Sequence, residues 1–332
     1  MLEILQQYGL FRAEAITVLI AIVVTAGVVL AMSRRGKAPE RLTIKHLNEK
    51  YEDTARKLNE AILAKKALKQ RRREDKVRTK QAAKAPPRRR VFVLDFHGDI
   101  KASAVASLRE ELSAVLAVAT TGDEIVVRLE NAGGLVHEHG LAASQLLRVR
   151  ERGIPLTVAV DKVAASGGYL MACVAQRIIA APFAIVGSIG VLAQLPNFHR
   201  LLEQRGIEVE QIKAGEYKRT LTMFGKNTEQ DRTRLKEEIE DTHRLFKDFV
   251  HEQRPSLDIE RVATGEHWYG RRALEHGLVD ELLTSDDYLL NATHDADLYE
   301  VSYSVRKSLT DRLVSAVSGT AGVWSQRGPW AH

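Results

Sequence analysis

Ser166 lies in Ala165-Ser166-Gly167-Gly168-Tyr169, after the apolar run Leu156–Val160 and at the start of a second one. A serine at a strand-to-helix turn holds its hydroxyl beside helix N–H groups that have no intrahelical partner. Small neighbours let a peptide backbone approach it closely. The same residues also suit a plain helix N-cap followed by a glycine turn, and the motif taken alone favours that plainer reading. Asn131-Ala132-Gly133-Gly134 follows another apolar run in the same sense. Paired glycines there can aim backbone N–H groups at a developing oxyanion, or simply make a tight turn. Gly215-Glu216-Tyr217-Lys218-Arg219-Thr220 places Lys218 52 residues beyond Ser166. A desolvated lysine crowded by cations such as Lys213 and Arg219 can act as a base toward a serine. Lys162 and Lys226 are competing bases without the same glycine-led, aromatic setting.

Alternating elements must position these residues. Strands are expected at Val91–Phe96, Ile125–Leu129 and Leu156–Val160, with helices at Ser103–Val118, Val136–Arg150 and Gly168–Ile179. Such βαβ alternation makes an α/β protein with a mostly parallel, covered sheet, whose sites gather at strand carboxyl ends. A long helix should open near Asn227-Thr228. Its stripe Leu235, Ile239, Phe246 and Val250 reads as core or subunit contact. Tyr299, Val301, Tyr303 and Val305 alternate like a strand, and Leu309–Val317 reads as a small amphipathic helix.

The chain has 332 residues, 45% hydrophobic and 28% charged, a globular balance. Its formal charge of +6 is uneven: residues 34–90 carry 21 Lys/Arg against 7 Asp/Glu, while the remainder of the chain is net acidic. Ala15–Met32 contains 18 residues without a charge, enough for a minimal transmembrane helix. Arg34, Arg35 and Lys37 follow it, an order unlike a cleaved signal peptide. Those cations favour a cytoplasmic C-terminal side by a rule that loses force for long domains, so the side stays open. Ile178–Leu195 is also 18 residues without a charge, but Pro182, Gly187, Ser188 and Gly190 punctuate it, which suits core strands and turns.

The basic stretch at 40–85 approximates a heptad seam through Ile44, Leu47, Tyr51, Leu58, Ala61 and Leu68, broken at Thr54 and Lys65. A solvated, charge-laced helix is the better reading, ending at Ala85-Pro86-Pro87. Its Lys/Arg excess suits an anionic bilayer surface. No aromatic residue interleaves with the basic runs, so nucleic acid is not an expected partner. One cysteine, Cys173, excludes an internal disulfide and any multi-cysteine zinc cluster. His137 and His139 form no recognised metal-ligand set and read as loop or helix residues.

The three motifs in this order, with Val186-Gly187-Ser188-Ile189-Gly190-Val191 and Ala273-Leu274-Glu275-His276-Gly277-Leu278-Val279-Asp280, resemble the signal-peptide-peptidase A family of membrane serine peptidases. The resemblance covers nearly the whole chain and is nearest to the family's compact single-domain members. It implies a ClpP/crotonase-like fold, a Ser–Lys dyad of Ser166 as nucleophile and Lys218 as base, and oxyanion binding by Gly133, Gly134 or Gly167. It implies no metal or other cofactor, a homo-oligomer, a bacterial inner-membrane location, and signal peptides or other membrane-proximal peptides as substrates. The family usually has proline before the glycine pair, where this chain has Ala132; the change removes no N–H donor. The expected layout is an anchor at 1–33, a basic and mostly helical linker at 34–89, a peptidase domain at 90–283 and a C-terminal extension at 284–332. Rival readings are a Ser–His–Asp hydrolase using His199, a catalytically silent membrane-tethered scaffold, and acyl-CoA chemistry on the same fold.

Overall fold

The computed structural model describes residues 41–82, 86–215, 218 and 221–304. The expected anchor at 15–32, Ala85 at the expected linker end, Val305 and the helix expected at Leu309–Val317 lie outside these residues. Among the described residues, no helix is long and apolar enough to cross a membrane.

Strand β1 (Arg41–His46) precedes two basic helices, α1 (Leu47–Ile62) and α2 (Lys65–Ala82). The alternating body follows: β2 (Arg89–His97), α3 (Val105–Leu116), β3 (Glu124–Glu130), α4 (Val136–Arg150) and β4 (Leu156–Val160). These match the expected strands and helices closely. After β4 come β5 (Val163–Ala165), α5 (Gly167–Ala172), β6 (Arg177–Ala180), β7 (Ile185–Gly187) and α6 (His199–Gln204). The chain continues through α7 (Glu229–Gln253), α8 (Ile259–Val262), β8 (His267–Tyr269), α9 (Gly270–Glu275), β9 (Glu281–Leu282), α10 (Ser285–Ala292) and β10 (Ala296–Ser304).

Seven strands form one sheet in the order β1-β10-β2-β3-β4-β6-β9. From β10 to β9 every neighbouring pair is parallel. Because side chains alternate across a strand, β2 serves two cores. Phe92, Leu94 and Phe96 join Leu108, Leu112, Leu129 and Leu146 on one face. Val91 and Val93 join Leu47, Val126, Leu289 and Leu298 on the other. Both faces are therefore covered, which is why the central strands read as nearly unbroken apolar runs. A second, three-stranded sheet pairs β5 with β7 in parallel and β7 with β8 antiparallel. A single bridge between Asn131 and Ala164 ties it to the carboxyl end of β3.

The helix expected over Gly168–Ile179 stops at Ala172. Gln176 Oε1 accepts the Leu156 N–H at 2.9 Å, and Arg150 donates to the Val174 carbonyl at 3.0 Å, holding the chain in a turn. Ile178 and Ile179 then enter the main sheet opposite Val158 and Ala159, a buried pleated setting that suits β-branched side chains. The apolar stretch 178–195 is thus two short strands and a turn, followed by irregular chain, as its punctuation indicates.

Both basic helices are largely exposed. Ile44 lies in β1, so the heptad seam starts only at Leu47. There α1 docks through Asn48, whose Nδ2 donates to the Ala296 carbonyl at 2.9 Å and whose Oδ1 accepts the Leu298 N–H at 2.7 Å. The main sheet therefore draws strands from both the 34–89 region and the region beyond 283.

Candidate active site

Ser166 stands where β5 becomes α5, with φ 51° and ψ −119°. For a residue with a Cβ that backbone is strained, and it persists only where its surroundings fix it. They do: the Ser166 N–H donates to the Gly187 carbonyl at 2.8 Å, and its own carbonyl accepts the Leu170 N–H at 3.0 Å. Ser166 occupies the N-cap position, yet its side chain makes no capping hydrogen bond. The N-cap reading therefore fails in its side-chain form, and the hydroxyl is held on a sharp strand-to-helix turn, the geometry of a nucleophile elbow.

The two glycines after Ser166 are required by close approach. A Cβ on Gly167 would lie 2.4 Å from His139 Cγ, and one on Gly168 only 2.1 Å from the Asn131 carbonyl oxygen. Gly133 has φ +93°, and its Cβ would meet Ser166 Cβ at 2.7 Å. The glycine-pair turn and the serine turn thus pack directly on each other. The Gly133 N–H donates to Asn131 Oδ1 at 2.9 Å, so that donor is already engaged. Gly134 and Gly167, with Ser166, line a cleft of about 320 Å³. Gly133 is not among the residues lining it.

The cleft has two apolar walls. One comes from α4 through Val136, Gly140, Ala143 and Ser144; the other from α7 through Thr242, Leu245, Phe246 and Phe249. Leu170, Gly190 and Val191 complete it. Its size and mainly apolar lining suit a side chain of a peptide. The stripe on α7 was expected to be core or subunit contact. Val250 and Phe246 are both buried in the core, as expected, and Phe246 also lines the serine cleft. α7 starts at Thr228, where a reciprocal capping box with Asp231 fixes the helix that carries this wall.

Lys218 is exposed and is not among the residues lining the cleft. Its N–H donates to the Gly215 carbonyl at 3.3 Å. The stretch of chain that holds it carries exposed apolar side chains, Leu192 at 84% and Ile212 at 91% among them. Of the competing bases, Lys162 is paired with Glu130 at 2.9 Å, and Lys226 is exposed. His199 opens α6 away from the cleft lining, so the cleft does not bring it to Ser166. Burial pushes the Cys173 thiol up, which leaves it a packing residue and not a nucleophile. Among the described residues, no group of three or more His, Cys, Asp or Glu is placed to hold a metal ion.

Comparison with known proteins adds sequence-wide support. Residues 3–146 match the family model for peptidase family S49 N-terminal, and residues 148–299 match that for peptidase family S49. The chain is similar to a probable protease SohB of Haemophilus influenzae, 46% identical over 325 residues, covering 94% of this chain and 92% of the relative. A putative signal peptide peptidase SppA of Enterococcus faecium is 26% identical over 198 residues, covering 59% of this chain and 57% of the relative. A solved structure of the 1510-N membrane-bound stomatin-specific protease, a lysine-to-alanine mutant with a substrate peptide, aligns with a TM-score of 0.44 at 14% identity. That alignment covers 70% of this chain and 99% of the solved one. With both family models matched across nearly all of its length, the chain belongs to peptidase family S49 and is a serine-type peptidase.

Proposed function

We propose that the chain is a membrane-anchored serine endopeptidase in which Ser166 attacks the peptide carbonyl and Lys218 is the general base. The observation that carries the reading is the strained Ser166 turn, opening with Gly134 and Gly167 onto one apolar cleft. In the proposed reaction neutral Lys218 takes the Ser166 proton, and the alkoxide attacks the scissile carbonyl. The N–H groups of Gly134 and Gly167 hold the oxyanion. Gly133 is dropped as a direct donor because its N–H is bound to Asn131. Lys218 then protonates the leaving amine, and water releases the acyl group from Ser166.

The ClpP/crotonase-like fold is part of this proposal, supported by the covered parallel sheet with its serine turn at the strand carboxyl ends. The apolar run at Ala15–Met32, followed by Arg34 and Arg35, supports a single anchor in a bacterial inner membrane. Signal peptides or other membrane-proximal peptides are the proposed substrates, in keeping with the anchor and with the name of the Enterococcus relative. The proposed layout keeps an anchor at 1–33, a basic region at 34–89, a peptidase domain at 90–283 and an extension at 284–332. The body's sheet also takes up β1 and β10. An exposed Lys218 on a segment rich in exposed apolar side chains supports a homo-oligomer whose dyad joins neighbouring subunits.

The test is peptide hydrolysis by the full chain in detergent. Ser166→Ala and Lys218→Arg should each fall by about 10⁴-fold or more while remaining folded, because guanidinium gives up no proton and each change disables the same step. Mixing the two inactive variants should restore activity if the dyad joins subunits. A folded Lys218→Arg protein with near wild-type turnover would overturn the dyad. Failure of complementation with proven subunit exchange would place it within one chain.

A further inference from the structure

Beneath the serine turn lies a buried polar chain that the proposed reaction does not use. Asn131 is 1% exposed and His139 0%. Asn131 Oδ1 accepts the Gly133 N–H at 2.9 Å and faces His139 Nε2 at 3.2 Å, while Asn131 Nδ2 donates to Met171 Sδ at 3.4 Å. His139 Nδ1 lies 2.9 Å from the Leu135 carbonyl oxygen. Both partners only accept, so a neutral ring donates to one of them at a time, and the tautomer that holds Asn131 is the one with its proton on Nε2. The Leu135 contact sits at the entry of the histidine's own helix, α4. The imidazole ring also occupies the space a Cβ would need at Gly167. One side chain therefore touches both pieces of backbone assigned to the oxyanion: Gly167 directly, and Gly133-Gly134 through Asn131.

We propose that His139 is a positioning residue for oxyanion binding. By packing on Gly167 and steadying the Asn131 carboxamide that holds the Gly133 N–H, it sets the spacing of the Gly134 and Gly167 N–H groups. The proposal rests on Ser166 being the nucleophile and on those two N–H groups being the donors. Packing alone does not require an imidazole here, since an apolar side chain would fill the volume without burying polar atoms that must be satisfied. Oxyanion donors act on charge that develops only in the transition state, and they act at a defined distance. A shifted glycine turn would leave substrate seated in the apolar cleft and weaken only the later state.

The experiment compares His139→Phe, Asn131→Ala and their double variant in the full chain in detergent. His139→Phe should lower kcat roughly tenfold or more with KM unchanged, and affinity for a peptide boronate should fall with kcat. Binding of uncleaved peptide, measured in a Ser166→Ala background, should be unchanged. The double variant should lose little more than the worse single one, because both act through one contact. His139→Gln, which keeps a buried amide donor, should recover part of kcat. A folded His139→Phe protein with wild-type kcat and boronate affinity would overturn the proposal. So would equal losses in boronate and uncleaved-peptide binding, which would mark a general collapse of the cleft. If His139→Phe does not fold, His139→Gln is judged by the same measurements. Nitrogen NMR of the imidazoles in Ser166→Ala protein adds a check that needs no change at His139: a bare Nε2 on the buried ring, unable to donate to Asn131, would overturn it. Turnover by Ser166→Ala itself would be a separate result, and would refute the peptidase reading instead.

Discussion

The two ends of the parallel sheet are built from different chemistry. At the carboxyl end, past Glu130 and Ala165, the backbone is strained at Ser166, glycines admit close approach, and the polar pair Asn131–His139 is buried. At the amino end the strands begin with charge. Arg89 pairs with Glu124 at 2.7 Å, and Arg90 with Asp123 at 2.6 Å. Glu124 also accepts hydroxyl hydrogen bonds from Thr157 at 2.7 Å and Tyr288 at 2.5 Å. Burial, with the Glu124 carboxylate beside it, pushes the Tyr288 hydroxyl up to about 12, so it remains a donor. One end spends conformational freedom on geometry; the other closes the sheet with satisfied ion pairs. Substitutions at the first end should alter catalysis, and those at the second should alter stability alone.

The sharpest way to break that contrast is Gly168→Ala. The new Cβ would meet a backbone oxygen, that of Asn131, which is itself accepting the Ala165 N–H at 3.0 Å. Neither atom can rotate away. Turnover should fall about 10²-fold, as expected when an oxyanion site is displaced, and stability by about 1–3 kcal/mol from overpacking. Peptide kinetics and a denaturation curve on the same preparation check both. An unaffected enzyme would mean that the two turns are not tightly coupled.

Gly140→Leu should separate the two properties. A Cβ at Gly140 has nothing within 4 Å, although the residue is inside α4 and lines the cleft. Replacing a mid-helix glycine should stabilise the fold by about 0.5–1 kcal/mol. The same side chain would occupy the cleft, so cleavage after bulky apolar residues should drop about tenfold relative to cleavage after alanine. A panel of peptides differing at one residue, read beside a melting curve, tests this. Unchanged selectivity would show that the cleft does not take that side chain.

Much of the carboxyl end was legible in sequence because turns there are local. Asn131, Gly133-Gly134 and Ser166-Gly167-Gly168 announce themselves as small residues after β-rich runs, and α4 and β4 fall at their expected bounds. Three features were hidden for physical reasons. Phe246 and Val250 share one buried apolar stripe, and periodicity cannot tell that Phe246 also walls the cleft. His139 reads as one more helix residue until Asn131 and Gly167 are brought beside it by the fold. Ile44 reads as helical because the strand's setting depends on distant residues, among them Tyr299, whose ring stacks on His46 at 5.0 Å. Lys218 illustrates the converse: its motif was legible, while its exposed position is a property of the folded chain.

Asp123→Asn has the smallest expected effect on catalysis, none, and probes the amino end alone. Burial by itself would raise this carboxyl. Arg90, which donates through Nε at 2.9 Å and Nη2 at 2.6 Å, and Thr120, which donates through its N–H at 2.7 Å and its hydroxyl at 2.9 Å, overcome that. They hold the carboxyl at about 2, below its ordinary 3.8. A carboxylate depressed by folding stabilises the native state above its unfolded pKa, and that contribution disappears as pH falls through the native value. The wild type should therefore exceed Asp123→Asn by about 2 kcal/mol at neutral pH, with the gap steady above about pH 5. The gap should shrink between the ordinary and depressed values and close near pH 2. Turnover at neutral pH should be unchanged, since the residue immediately precedes β3, at the end opposite Ser166. Denaturant titrations across this range, paired with peptide hydrolysis, test both statements. A pH-independent gap would mean that Asp123 stabilises through shape and not charge, and a loss of turnover would end the separation of the two ends.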